Sequence, residues 1–407
     1  MSIFNTFKPL IFKLNESTFN IKDIDYNIEF SNDNSYPLLK LGYNHFILQN
    51  LHKYNTDGLK KNENRSNLKY ITEPFTIKEF TSREEKKTSI IDNVNNLINS
   101  IDKNIPKVDN NYFTQLWEMI LYFDLLSDKS VKVMNITDSN SYFIESCIIY
   151  RLLINSKLDK DEFIVDNTEN NFVKYFKKNI NNKYSKNSID LITTEIHNIE
   201  GDKILSEQKS FKTILDHIYT ILDAQSNGGD LVLKIYDNYT YVSLNMIEFI
   251  KSFYDEAYIC KPFTSLSVNS EKYLICKNFK KSKVSKDVME NIKKIIKTMN
   301  DNKDYNIYYL LENLEINDSN IKLYKEISNK ISQHQYIGIN NMFEYLNLEN
   351  KFGSEFHEIL NKYDNATEFW SSVFLNKKNF DNIKYLNSKK KSSKGGKTSK
   401  KTTKTKK

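Results

Sequence analysis

The chain has 407 residues, 39% of them apolar and 13% aromatic, with 26 Tyr, 25 Phe and a formal charge of +7. That is longer than one ordinary domain of about 100–200 residues, so two or three units with a substantial core are expected. The charge does not describe the body: Ser388–Lys407 holds ten lysines and no acid, leaving the other 387 residues at −3. Cys147, Cys260 and Cys276 have neither the density of a disulfide framework nor metal-ligand spacing, which implies a reducing compartment without zinc. Without an apolar run of about 18 residues or a leader pattern at Met1–Lys13, a soluble intracellular protein with no membrane partner is expected. Lys and Asn abound while Gly (9) and Pro (5) are scarce, a bias that fits an AT-rich coding genome.

In chain order, residues 1–104 mix short strand-like runs with helical stretches. A polar interval, Asn50–Asn67, separates Gly42–Phe46 from Tyr70–Phe75, and the segment reads as a separate N-terminal α+β unit. From Pro106 the pattern is regular: a helix over Tyr112–Leu126, a strand over Val131–Ile136, a helix over Tyr142–Leu153 and a strand over Glu162–Asp166. Then come a helix at Phe172–Lys178, a strand at Ser188–Thr193, a helix at Ser210–Ala224 and a Gly228-Gly229 break. A strand at Leu231–Tyr236, a helix at Leu244–Tyr254 and a strand at Glu271–Lys277 complete the series. This alternation predicts an α/β domain over 105–280, a mostly parallel sheet between helices whose ligands bind beyond the carboxyl ends of the strands. From 281 to 387 the strand signal fades into a helical unit, with helices at Val288–Met299 and Leu323–Ile331. The tail at 388–407 cannot bury apolar surface and is expected to be disordered.

The segment Asn227-Gly228-Gly229-Asp230-Leu231-Val232-Leu233-Lys234 places a glycine turn before a strand ending in lysine. Some two dozen residues on come Lys261-Pro262-Phe263-Thr264-Ser265 and Asn269-Ser270-Glu271-Lys272-Tyr273. These linked motifs resemble the FtsJ-like RNA 2′-O-methyltransferase family, nearest to FtsJ-like proteins of large DNA viruses and to cap ribose methyltransferases. The resemblance covers about Pro106–Phe279 and extends loosely into the flanks. It implies a Rossmann-like methyltransferase domain, S-adenosylmethionine as cofactor, and RNA, in particular the mRNA 5′ end, as substrate.

The family places a Lys-Asp-Lys-Glu tetrad around the ribose hydroxyl. A hydroxyl is a poor nucleophile at neutral pH, so a lysine is needed to orient it and take its proton, with its pKa brought below the usual value of about 10.4. Lys234 matches the central lysine and Glu271 the closing glutamate. Glu195, in Asp190-Leu191-Ile192-Thr193-Thr194-Glu195, stands where the family has aspartate. Gln115, in Gln115-Leu116-Trp117-Glu118, stands where it has the first lysine, and glutamine brings no charge to depress Lys234. Without the flanking motifs, Lys234 reads as a strand cap and Glu271 as half of a surface ion pair.

The cofactor loop, Val133-Met134-Asn135-Ile136-Thr137-Asp138-Ser139-Asn140-Ser141-Tyr142-Phe143-Ile144-Glu145, departs most from the family. Asn135 replaces an aspartate, and Ser141-Tyr142 replace a glycine pair that lets backbone approach the cofactor. Asn135, Asp138 and Ser141, with Asp166 at the end of its strand, are the cofactor-binding candidates. Two functions follow: a working ribose 2′-O-methyltransferase, or an inactive methyltransferase-fold subunit that binds RNA or a capping or transcription protein. The tail suits nucleic acid or another polyanion by counterion release, a localisation signal or particle packing. A viral origin would place the protein in the host cytoplasm or the virion.

Overall fold

The structure, a computed structural model, describes residues 9–384 apart from 18, 34, 36–37, 40–88, 127–128, 138–140, 156, 167–169, 197–202 and 347–352. The runs expected around Gly42–Phe46 and Tyr70–Phe75 and the lysine tail lie outside the described residues. In chain order the elements are β1 (Leu10–Lys13), β2 (Asp25–Ser31), α1 (Ile90–Ile101), α2 (Asn111–Phe123), β3 (Lys132–Thr137), α3 (Tyr142–Asn155), β4 (Glu162–Val165), α4 (Asn171–Tyr175), β5 (Ile180–Asn181) and β6 (Ile189–Glu195). They continue with α5 (Lys203–Ala224), β7 (Gln225–Ile235), α6 (Tyr241–Lys251), β8 (Tyr254–Lys261), β9 (Lys272–Phe279), α7 (Lys286–Asp301), β10 (Asn306–Glu312), α8 (Asp318–Leu346), α9 (Ser354–Phe374) and α10 (Phe380–Ile383).

Eight strands form one sheet in the order β1-β8-β9-β7-β6-β3-β4-β5, and β10 pairs with β2 in a second. β3 runs parallel to β4 and β6, β4 to β5, and β6 to β7, whereas β9 is antiparallel to both β7 and β8. This is the mostly parallel Rossmann-like sheet the alternation predicts. From β3 the chain winds outward through β4 and β5, then returns to the other side of β3 with β6 and β7. The strand order therefore reverses between β3 and β6, and the crevice beyond their carboxyl ends is where such sheets take ligands.

Three strands escaped the sequence reading, one of them the two-residue β5. Tyr254–Lys261 starts where the expected helix Leu244–Tyr254 ends, and β10 lies in the region expected to be helical. β10 breaks the periodicity because Ile307 and Leu310 are buried while Tyr308 is exposed, with register shifts along its pairing. β1 adds antiparallel to β8 at the sheet edge, and β2 joins β10, so residues 10–31 pair with both the central and the carboxyl-terminal parts of the chain.

Both sheet faces are covered, and side-chain alternation splits the core accordingly. Leu231, Leu233 and Ile235 face a core shared with α5–α8 and β10. Leu191, Val232, Tyr273 and Ile275 face one built on α1–α4, α9 and α10, including Trp117 and Trp370. Among the described residues no helix is long and apolar enough to cross a membrane.

The Gly228-Gly229 pair does not precede β7 but lies within it. The register to β6 slips between Ile189↔Gln225 and Leu191↔Asp230, which makes the glycines a bulge. Gly228 has φ +83°, and a Cβ on Gly229 would lie 2.9 Å from the Asp190 carbonyl oxygen and 3.0 Å from that of Ile189. Those are backbone atoms that cannot swing away. Gly229→Ala is therefore expected to cost about 1–3 kcal/mol, seen as a lower urea midpoint; an unchanged midpoint would mean the bulge tolerates a side chain.

Candidate active site

Alternation puts Asn135, Thr193, Glu195, Lys234, Glu271 and Tyr273 on the sheet face that meets α2 and α3. The register makes a row of them, with Asn135 opposite Thr193, Thr137 opposite Glu195 and Lys234 opposite Tyr273. Because β9 is antiparallel, its beginning, at Glu271, meets the end of β7, at Lys234. The insertion of β9 between β7 and β8 is what brings the two sequence-predicted charges together.

Lys234 Nζ lies 3.2 Å from Glu271 Oε2, and their side chains are 0% and 6% exposed. The Tyr112 ring lies over the ammonium at 4.3 Å and that of Tyr236 at 5.3 Å. Glu271, Tyr236 and Tyr112 surround the ammonium and act on it by charge and hydrogen bonding. Burial by itself disfavours the ammonium, but the Glu271 carboxylate and the phenols of Tyr236 and Tyr112 outweigh it and hold Lys234 above the ordinary lysine range. The expected lowering is reversed. No second ammonium takes the place of Gln115, and the dominant neighbour is an anion.

Burial pushes Glu271 up, yet Lys234 and Lys261 hold it below the usual carboxylate range. Its Oε1 also accepts from Ser265 Oγ at 3.2 Å and Tyr273 Oη at 3.1 Å. Gln115 does not reach Lys234 directly: its Oε1 accepts from Tyr273 Oη, and its Nε2 donates to the Thr264 carbonyl at 3.3 Å. It therefore braces the tyrosine that braces Glu271. Lys261 ties the loop together, donating to the carbonyls of Leu266 and Glu271, both at 2.8 Å. Tyr112 and Tyr236 were missed; one lies three residues before Gln115 on its helix and the other two residues after Lys234 on its strand, and either spacing puts them on the same face.

The cofactor side is arranged differently. Glu195 Oε1 accepts from Asn135 Nδ2 at 2.8 Å and from the backbone N–H of Phe143 at 2.9 Å, so the carboxylate points to the amino end of α3. Asn135 is fully buried, and its Oδ1 accepts from Thr193 Oγ1 at 2.7 Å. Ser141 is buried, and its hydroxyl has no hydrogen-bond partner among the described residues. Tyr142 stacks on Tyr112 with ring centroids 5.7 Å apart. Asp166 ends β4 exposed, with its carboxyl raised by partial burial. Asp138 lies outside the described residues.

An orphaned buried hydroxyl at Ser141 and an exposed acid at Asp166 fit a ligand lying along this edge. At the α3 end such a ligand meets the Glu195 carboxylate, which already uses the helix N-terminus that would attract an anion. Glu145, in the first turn of α3, accepts from Asn110 at 3.1 Å and Asn170 at 2.8 Å. Burial raises its carboxyl to about 7 against those hydrogen bonds. No group of three or more His, Cys, Asp or Glu side chains that could hold a metal occurs among the described residues.

A parallel sheet with one antiparallel strand inserted near its edge, and a Lys–Glu pair at the crevice end, define a methyltransferase-type domain. Residues 124–279 match the FtsJ-like methyltransferase family, in line with the resemblance carried by the linked motifs. The chain is 37% identical over 82 residues to the cap-specific mRNA (nucleoside-2′-O-)-methyltransferase 1 of Dictyostelium discoideum, covering 20% of this chain and 11% of that protein. It is 25% identical over 232 residues to methyltransferase 1A of the same description from Caenorhabditis briggsae, covering 54% and 25%. An uncharacterized protein of Acanthamoeba polyphaga mimivirus is 24% identical over 163 residues, 40% of each chain. The matches thus span well under half of these relatives. Members of the family use S-adenosylmethionine.

The protonation of Glu145 gives a test by pH. Its folded value of about 7 lies above the ordinary 4.5, so the folded state keeps a proton that the unfolded chain releases. Its contribution is complete below pH 4.5 and is lost as pH rises through 7. Glu145→Gln should remove on the order of 2–3 kcal/mol from the loss of stability between pH 5 and pH 8, read from urea midpoints. An undiminished loss would show Glu145 ionised in the folded protein.

Proposed function

We propose that this chain methylates ribose 2′-hydroxyls of RNA, at or near the mRNA 5′ end, with Lys234 and Glu271 at the reacting centre. The observation that carries this reading is the buried Lys234 ammonium at the crevice end of the sheet, paired with Glu271 and faced by the rings of Tyr112 and Tyr236. An ammonium held protonated cannot take a proton as it stands. Lys234 instead orients the ribose oxygen and stabilises the negative charge that develops on it, while the hydroxyl proton leaves to solvent water as the new carbon–oxygen bond forms and the methyl–sulfur bond breaks. Glu271 fixes Lys234 in place, and Tyr273, Ser265 and Gln115 fix Glu271. Ser141 and Asp166, with Asn135 behind them, would hold S-adenosylmethionine, which supplies the methyl group. Tyr112 must swing off Lys234 before a ribose can reach it.

A second reading, an inactive subunit that binds RNA or a capping or transcription partner, is favoured by one observation. The Glu195 carboxylate is turned to α3 and away from Lys234, beside a tyrosine where the family has glycine. The basic tail suits either reading as a polyanion-binding arm.

Calorimetry with S-adenosylmethionine on the full chain separates the two. Binding is expected, and its absence at millimolar ligand would leave only the inactive subunit. With radiolabelled cofactor and capped or uncapped RNA, Lys234→Ala should lower transfer about 100-fold or more while leaving cofactor affinity within about threefold. Equal transfer by both proteins would remove Lys234 from the reaction.

A further inference from the structure

Away from Lys234, α5 and the α7–β10 connection enclose an open pocket of about 280 Å3, lined by Lys209, Lys212, Lys303, Asn302, Gln208 and Tyr305, with no carboxylate in its wall among the described residues. The body of the protein is not basic, so three lysines converging without an acid in the wall are a local departure. Asp301 and Asp304 flank Lys303 in sequence, and Asp216 lies one turn beyond Lys212, where that lysine's charge opposes its burial. None of the three acids lines the pocket. Tyr305 is 52% exposed and Tyr308, on the adjoining strand, 40%. They are two of only four large apolar or aromatic side chains exposed to that degree among the described residues.

The pocket is joined rigidly to the reacting end of the sheet. Gln208 Nε2 donates to the Ile307 carbonyl at 2.8 Å, closing α5 onto β10. The preceding residue, Glu207, accepts from the backbone N–H groups of Tyr239 at 3.3 Å and Thr240 at 3.0 Å. Those residues begin the path from β7, and so from Lys234, into α6. Tyr241, next along, stacks on Tyr309 of β10 at 5.1 Å.

We propose that this pocket binds single-stranded RNA, its lysines taking backbone phosphates and Tyr305 stacking on one base. Ammonium groups beside an exposed ring are the combination that holds single strands without reading their sequence. The volume lies just below the usual range for whole small-molecule ligands, about 300–1,000 Å3, and suits one base with its phosphate. The proposal rests on the RNA reading above and gives that RNA a second anchor, separate from the reacting centre.

The test is fluorescence anisotropy of a 5′-labelled oligouridylate on the full chain at several salt concentrations. The triple variant K209E/K212E/K303E should weaken binding about tenfold or more and flatten the slope of log Kd against log salt by about 2. Tyr305→Ala should weaken it about fivefold or more with the slope unchanged. A 4-thiouridine oligomer irradiated on the wild type should crosslink to the peptide holding Tyr305, a readout that does not depend on how the triple variant folds. If the wild type binds RNA but neither variant changes affinity and the crosslink falls elsewhere, the pocket is wrong and the RNA reading stands. If the wild type binds no RNA, both fall. Neither variant should alter S-adenosylmethionine affinity.

Discussion

The ion pair between Lys234 and Glu271 is the constraint around which the site is arranged. Two full charges leave water here, and each is tolerable only because the other is 3.2 Å away. That requirement fixes more than two residues. It needs β9 to enter the sheet antiparallel, so that its first residues meet the last of β7. It needs Lys261, Ser265 and Tyr273 to hold the 261–271 loop against the sheet. It also leaves Gln115 a supporting part, because the position that could have carried a second cation contacts Tyr273 instead of Lys234.

The same row of residues explains why the site is closed. Glu195 and Glu271 would both be drawn to one ammonium, but the geometry gives Lys234 to Glu271 and sends Glu195 to the amino end of α3. There the first-turn N–H of Phe143 and the amide of Asn135 satisfy Glu195. Aspartate at that position would be shorter by a methylene and could not span the same gap without moving backbone, so the glutamate and the altered sequence of the cofactor loop are one change seen from two sides. Tyr142, where the family has glycine, stacks instead on Tyr112, the ring that covers Lys234. Opening the site therefore means unstacking that pair, a local movement that leaves the Lys234–Glu271 pair intact.

Much of this was legible in the sequence, and what was missed was missed for physical reasons. The parallel strands were readable because burial on both faces forces continuous apolar runs, and Lys234 and Glu271 because each breaks such a run with a charge. β8 was hidden because its apolar run Ala257–Cys260 is only four residues long and its first residue, Tyr254, continues the apolar spacing of the helix before it. β5 has only two residues, too few for any period to show. The bulge at Gly228-Gly229 looked like a turn because glycine marks both. The direction of the Lys234 pKa could not be read at all, since it depends on whether burial or the adjacent carboxylate wins. The buried pair Arg151–Asp161, at 2.8 Å, was equally invisible, with the arginine on α3 and the aspartate in the turn before β4.

The electrostatics of the reacting end bear on how RNA could be held there. Lys234 is neutralised by Glu271, so the pair offers a polyanion no net charge. A strand of phosphates drawn to this edge must be held by cations placed elsewhere, because the field that neutralises its charge need not come from the residues that do chemistry. The described surface offers such cations at Lys209, Lys212 and Lys303, coupled through Glu207 to the segment that leaves Lys234. Affinity and chemistry are then separable properties of this protein: salt acts on the first, while the second depends on whether Tyr112 leaves Lys234. A chain that had lost methyl transfer could keep its hold on RNA unchanged, which is why the altered cofactor loop and an intact RNA-binding surface are compatible in one molecule.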